Sequence, residues 1–284
     1  MKKLVIMMIL CTSNFVFAGV YDDAVGYWQF EEGSGQTIAD ITGNGNGLVR
    51  GTNAMEESKD AQWSIGGGIG GSNGVFSPVT PKGMVSTGGD NDAFDVSPDS
   101  SFSVSLWFKN TPDVIKDDWL VSKSESTANY RGWGFGVNAA GQIEFLIRST
   151  NTTGDRLWGK TGQTVASMTD NWASGLEYVN IVMTYNGGMT LDGFKFYVDG
   201  VQMNATLYTD ADSGGSHIDI DDVTTNDKPL DFGGRNTAAT VSGYYDDCAF
   251  WDRELTATEV GSIVPEPATI IVLALGGFAL IRKK

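Results

Sequence analysis

Cysteine, histidine and positive charge are scarce in this sequence. Two cysteines occur among 284 residues, and Cys11 falls within an N-terminal leader. Cys248 then stands alone, which excludes an internal disulfide and leaves the fold to core size or to a metal. The single histidine, His217, sits in an aspartate-rich stretch. With no nucleophile visibly paired with it, it reads as a solvated loop residue rather than a general base. Lys and Arg number 19 against 35 Asp and Glu, for a formal net charge of −16. Setting aside Lys2, Lys3, Arg282, Lys283 and Lys284 leaves 14 basic residues against 35 acidic ones, about −21. Such a surface repels nucleic acid and anionic lipid and attracts divalent cations. Runs of helical period are missing, and long apolar runs occur only at the two ends.

Those ends read as addresses. Lys2 and Lys3 form a positive n-region, Leu4 to Leu10 an apolar h-region, and Val16-Phe17-Ala18 a small-residue cleavage site. The pattern predicts a signal peptide over residues 1–18, cut between Ala18 and Gly19. Leu10 precedes Cys11 where a lipoprotein signal needs a small residue, which excludes lipidation. At the other end, Val264-Pro265-Glu266-Pro267 leads into the uncharged run Ala268 to Ile281 and then Arg282-Lys283-Lys284. A helix over that run spans roughly 21 Å, short of a hydrocarbon core of about 30 Å. It crosses a bilayer only by thinning it or by letting the basic end reach for the headgroups. Basic clusters at both ends stay cytoplasmic, so the region between them is exported.

Motif, short transmembrane helix and basic end, in that order, resemble the PEP-CTERM sorting signal of Gram-negative bacteria. In that family an exosortase, a membrane cysteine protease-transpeptidase, handles the signal. The resemblance implies that Pro265, Glu266 and Pro267 form the processing motif. It also implies that residues 264–284 anchor the protein transiently in the inner membrane, on the way to the cell surface or extracellular matrix.

Between the ends the pattern is all-β. Short alternating or aromatic runs recur between Gly, Asn, Asp and Ser clusters: 25–30, 102–108, 132–137, 142–147, 178–185, 194–198 and 244–251. Phe102, Val104 and Leu106 alternate with Ser103 and Ser105, the period of two expected of a half-buried strand. Asp199-Gly200 between two valines predicts a type I′ hairpin turn. Only Thr256 to Ile263 suits a helix, with Thr256 as cap and Glu259 at its third position. The 37 glycines fit a two-sheet sandwich. Asn53 to Lys82, with Gly66-Gly-Gly-Ile-Gly-Gly71, reads as a mobile loop, and Asn204 to Asp227 as an insertion.

The order of the pieces resembles the laminin G-like (LamG-like) family of concanavalin A-like jelly rolls. They are Trp28-Gln-Phe30 with Gly33 and Gly35, Asp40 to Gly47, Phe102 to Lys109, Tyr185-Asn-Gly187, Phe196 to Gly200, Phe232-Gly-Gly234, and Gly243 to Glu259. The resemblance implies a jelly-roll domain over residues 19–263 that binds carbohydrate or matrix-protein ligands. It departs at Tyr178-Val179-Asn180, where the family has Trp-His-His. It further implies a structural calcium (Ca2+) held by Asp40, carbonyls near Gly43, and Asp246.

Glycan cleavage on this fold needs two carboxylates on one strand face, spaced at i, i+2 or i+4, with one kept protonated. The segment 142–147 offers only Glu144. The reading is therefore a non-catalytic binding protein, with a polysaccharide-degrading hydrolase or lyase as the alternative. The acidic stretch Asp210 to Asp222 loosely imitates a calcium loop, without the glycine and closing glutamate of that motif. Glycan binding uses aromatic faces beside planar polar groups. Tyr130-Arg131-Gly-Trp133 and Arg156-Leu-Trp158 provide both, against the alternative that these rings are core. Trp28, Trp107 and Trp251 read as core.

Overall fold

Alternation, β-branching and turn chemistry build a sandwich. In the computed structural model the described residues are 19–51, 60–78, 83–111, 118–125, 130–150, 155–203, 208–209, 215–219, 224–235, 238–239 and 241–264. The leader 1–18, with Ala18, and the motif Pro265-Glu266-Pro267 with its apolar run lie outside them.

The first half of the chain supplies β1 (Gly26–Trp28), β2 (Thr37–Ile38), β3 (Leu48–Arg50), β4 (Gln62–Ser64), β5 (Gly74–Ser77), β6 (Val85–Ser86), β7 (Phe102–Asn110), β8 (Asp118–Ser124), β9 (Gly132–Val137) and β10 (Gln142–Arg148). There follow β11 (Arg156–Thr164), the short helix α1 (Asp170–Ser174), β12 (Val179–Tyr185), β13 (Phe194–Val198), β14 (Val201–Gln202), β15 (Tyr208–Thr209) and β16 (Gly215–His217). The chain closes with β17 (Asp231–Phe232), β18 (Gly234–Arg235), β19 (Ala238–Ala239), β20 (Gly243–Trp251) and helix α2 (Ala257–Ile263).

Sheet A has eight strands in the order β14-β13-β12-β7-β20-β5-β4, with β1 also paired to β20. Sheet B has ten, β15-β11-β10-β9-β8-β17-β6-β3-β2, with β16 also on β11. A small β18–β19 arm stands apart from both. Every described pairing in the two sheets is antiparallel, as in β7 with β12 and β9 with β10. The chain is thus an all-β, two-sheet jelly-roll sandwich.

The core lies between the sheets. Phe102, Val104, Leu106 and Phe108 of β7 face Trp133 and Phe135 of β9 and Phe145 and Ile147 of β10. Phe102 and Trp133 have ring centroids 5.1 Å apart, and Phe145 and Phe194 4.4 Å. Trp28 packs in this core as well.

A second core covers the outer face of sheet A. Val182, Tyr197, Ala249 and Trp251 pack against Leu255, Val260 and Ile263 around α2, and against Val20, Tyr21 and Ala24 from the opposite end of the chain. Trp251 donates its indole N–H to the Val20 carbonyl at 2.8 Å, and the Tyr21 ring stacks on Tyr27 at 3.9 Å. Ser103 Oγ accepts from Leu255 N and donates to the Arg253 carbonyl. Hence β7, expected to be half-buried, is buried on both faces, with Ser103 and Ser105 fully enclosed.

Several local expectations hold. Asp199 (φ 49°) and Gly200 (φ 75°) make the turn between β13 and β14. Thr256 and Glu259 cap α2 reciprocally. Others are corrected. The stretch read as a mobile loop contains β4 and β5, which pair with each other and extend sheet A through β20. Its glycines form a tight turn whose Ile69 N–H is held by the Asp246 carboxylate. The insertion 204–227 contributes β15 and β16 to the edge of sheet B, placing His217 in register with Arg156.

Candidate ligand-binding face

Strand β9 explains the outer face of sheet B. Its sequence is Gly-Trp-Gly-Phe-Gly-Val. Trp133, Phe135 and Val137 point into the core, so Gly132, Gly134 and Gly136 lie on the opposite side of the strand, where neighbouring groups bury them. Gly132 has no substitute: its φ is +125°, and a Cβ would meet the Lys123 carbonyl oxygen at 2.1 Å.

Long side chains gather at the Gly132 end of this strip. Register places Arg148 of β10 opposite Gly132 on one side and Arg156 of β11 on the other. Trp158 lies two residues beyond Arg156, on the same face. Tyr130 precedes β9, and Arg235 comes from β18. Together they form a ladder of alternating cations and rings. Arg235 lies over Trp119 (6.0 Å to the ring centroid) and Tyr130 (5.3 Å). Arg148 lies over Tyr130 (5.4 Å) and Trp158 (4.9 Å), and Arg156 over Trp158 (5.4 Å). Such contacts contribute about 0.5–2 kcal/mol each, more when desolvated. The Trp158 indole N–H donates to Glu144 at 2.6 Å, which fixes the ring plane. Trp119, Tyr130, Trp158 and Arg235 keep part of their surface in solvent.

Electrostatically the ladder inverts the character of the chain. Burial, then the neighbouring charges of Arg156 and Arg235, push the Arg148 guanidinium down to about 10. It stays charged at neutral pH, where like charges crowd it.

The sequence-derived candidates separate. Tyr130, Arg156 and Trp158 meet in the ladder. Trp133 does not: it is 1% exposed, packs in the core and donates to the Phe94 carbonyl, because the alternation of β9 turns it inward. Arg131 lines a different opening, a cleft of about 490 Å³ shared with Asp92, Asp95, Glu125 and Asp227. Lys123 anchors the floor of that region. Fully buried, it pairs with Asp90 at 2.9 Å and Asp95 at 2.8 Å and donates to the Asn226 carbonyl. Arg148, Arg235 and Trp119 escaped the reading of the sequence. Arg148 was accessible to it, since it continues the outward register of Glu144 and Leu146 on β10.

The carboxylates expected around calcium serve two separate loops. Asp40 Oδ1 accepts from Tyr27 N, Thr42 N and Thr42 Oγ1, and Oδ2 from Asn46 N at 3.0 Å. This ties the glycine-rich turn through Gly43 to β1. Asp246 instead accepts from Ile69 N at 2.8 Å, Ser72 Oγ at 3.0 Å and Asp247 N at 3.0 Å. Burial pushes its carboxyl up to about 7, with the adjacent Asp247 adding to the rise and these hydrogen bonds opposing it. Among the described residues, no three His, Cys, Asp or Glu side chains form a group that could hold a metal. Nor is any described helix long and apolar enough to cross a membrane.

The sandwich has relatives of known structure. The binding domain of Paraclostridial Mosquitocidal Protein 1 superposes with a TM-score of 0.59 at 18% identity, over 86% of this chain and 52% of that one. The Botulinum neurotoxin serotype G binding domain gives 0.57 at 15% identity, over 85% and 50%. The binding domain of Botulinum neurotoxin DC in complex with SialylT gives 0.53 at 12%, over 86% and 51%. At these identities the likeness is one of fold, and the chain spans about half the length of the structures it matches. No curated protein matches the sequence. A laminin G family profile, described as the concanavalin A-like lectin/glucanases superfamily, matches residues 85–261. That span takes in the central strands of both sheets and the capped helix α2, and with it this chain belongs to the concanavalin A-like lectin/glucanases superfamily.

Proposed function

We propose that this protein is an exported, non-catalytic binding protein that holds glycan or protein ligands on the outer face of sheet B. The observation that carries the proposal is the cation–aromatic ladder from Trp119 to Arg156. Its rings Trp119, Tyr130 and Trp158, with Arg235 at one end, keep part of their surface in solvent over the buried Arg148 and Arg156, while the matching face of sheet A is sealed by α2 and the N-terminal segment. Planar polar groups beside aromatic rings are the usual means of fixing a sugar. Binding domains among the structural relatives agree with this reading at the level of fold.

The test uses the full chain and a polysaccharide panel, scored for both retention and new reducing ends. Retention that disappears in Trp158→Ala supports the proposal. New reducing ends overturn it in favour of a degradative enzyme.

Two further elements belong to the proposal. The leader cut between Ala18 and Gly19 and the motif Pro265-Glu266-Pro267 would route the protein through the inner membrane and an exosortase to the surface. Replacing the motif with alanines would leave export intact and trap the protein in the membrane; normal release in fractionation would refute this. Calcium is proposed at the turn near Gly43, where Asp40 Oδ2 carries one protein hydrogen bond; Asp246, committed to the other loop, is outside that set. A metal bound only to the folded form raises the melting temperature by mass action, roughly 2–4 °C for a gain near 1 kcal/mol at this chain length. Chelation that lowers the melting temperature, reversed by calcium and abolished in Asp40→Ala, would support it. A melting curve unmoved by chelation would remove it.

A further inference from the structure

Arg148 is more than nine-tenths buried, yet its Nε has no hydrogen-bond partner. An unmet buried donor costs about 1–3 kcal/mol, and more on a charged group. The rings of Tyr130 and Trp158 both lie against the guanidinium, their centroids 5.4 and 4.9 Å from its central carbon. A ring offers no oxygen to the guanidinium's in-plane, parallel N–H groups, whose geometry a carboxylate or a sulfate accepts as a pair. Arg156 and Arg235, stacked on the same rings, add positive charge at this point in a chain of net charge −16. Glu144 offsets part of that charge, and a ligand carrying its own negative charge would add to that offset while accepting from the unmet donor.

Resting on the binding role proposed for this face, we infer that the Arg148 edge selects an anionic sugar, one bearing a uronate carboxylate or a sulfate ester, and discriminates against neutral glycans. A glycan is favoured over an acidic peptide by the location. Arg148, at the centre of the ladder, stands on β10, which is hydrogen-bonded to β9 and β11 within sheet B, so that strand offers no edge for main-chain pairing. Recognition must come from side chains.

The experiment titrates the full chain at fixed salt with four probes: oligogalacturonate, dextran sulfate, neutral dextran and polyglutamate. An acidic glycan binding at least tenfold more tightly than neutral dextran is expected. Oligogalacturonate alone assigns a carboxylate, and dextran sulfate alone a sulfate ester. Arg148→Gln and Arg148→Lys should both lose about tenfold, because lysine restores charge but not the paired edge, whereas Lys160→Gln on the same face should lose much less. If the Arg148 variants do not fold, Arg235→Gln, at the partly exposed end of the ladder, should show the loss instead. Equal binding of neutral and acidic dextrans, abolished by Trp158→Ala, overturns the inference and leaves the binding role standing. Polyglutamate matching the acidic glycans overturns the choice of a sugar. Binding of no probe overturns both the inference and the role it rests on.

Discussion

The outer faces of the two sheets present opposite solutions to one problem. Each sheet turns one side toward the common core and must do something with the other. Sheet A places Val182, Tyr197 and Trp251 there and roofs them with α2 and the Val20–Ala24 segment. Sheet B places glycines, arginines and partly exposed rings there. The first face adds stability and has no room for a partner. The second carries like charges in close quarters, at the place proposed to meet a ligand. On the proposed binding role, structure and function are divided between two sides of one sandwich.

Mutations can break that division. The largest effect is expected on the roofed face. Trp251→Ala removes a fully buried ring and its bond to Val20, and should cost about 3–5 kcal/mol, read as a lower denaturant midpoint. Second comes pH. Asp246 has a folded pKa of about 7 against an unfolded value of 3.8. Between those values the folded state binds more protons than the unfolded one, so this carboxyl's contribution is complete below pH ~4 and is lost as pH rises through ~7. Unfolding measured across that window should show stability falling with pH, and Asp246→Asn should flatten the slope; an unchanged slope would refute the assignment. Third, Thr256→Ala removes the capping box of α2 and should cost about 1 kcal/mol. The smallest effect on stability belongs to the open face. Trp158→Ala should change stability by less than about 1 kcal/mol while abolishing ligand retention. If Trp158→Ala destabilises as much as Trp251→Ala, the ladder is a roof rather than a site.

What could be read from the sequence follows from the range of the forces involved. The strands at 102–108, 132–137 and 194–198, the Asp199-Gly200 turn and the Thr256 cap are written in neighbouring residues, and local periodicity revealed them. Strand β11 was missed because Gly159 interrupts its inward register. Strands β4 and β5 were missed because the glycines between them mimic a free loop, while Asp246, 177 residues away from Ile69, holds that turn. The candidate site was half legible for the same reason. Tyr130, Arg156 and Trp158 announce themselves as aromatic–arginine neighbours. Arg148 and Arg235 join them only through sheet register and the β18 arm, and Trp133 was misplaced because its adjacency to Tyr130 conceals opposite directions along β9.

The roof over sheet A also dictates when the domain can finish folding. Its parts come from the two ends of the chain: β1 hydrogen-bonds to β20, and Val20 receives the Trp251 indole 231 positions away. No emerging N-terminal portion can complete this layer before β20 and α2 have been synthesised. Closure is a late, long-range event of the kind that slows β-sandwich folding. That layer of the nascent domain therefore stays open until α2 has appeared.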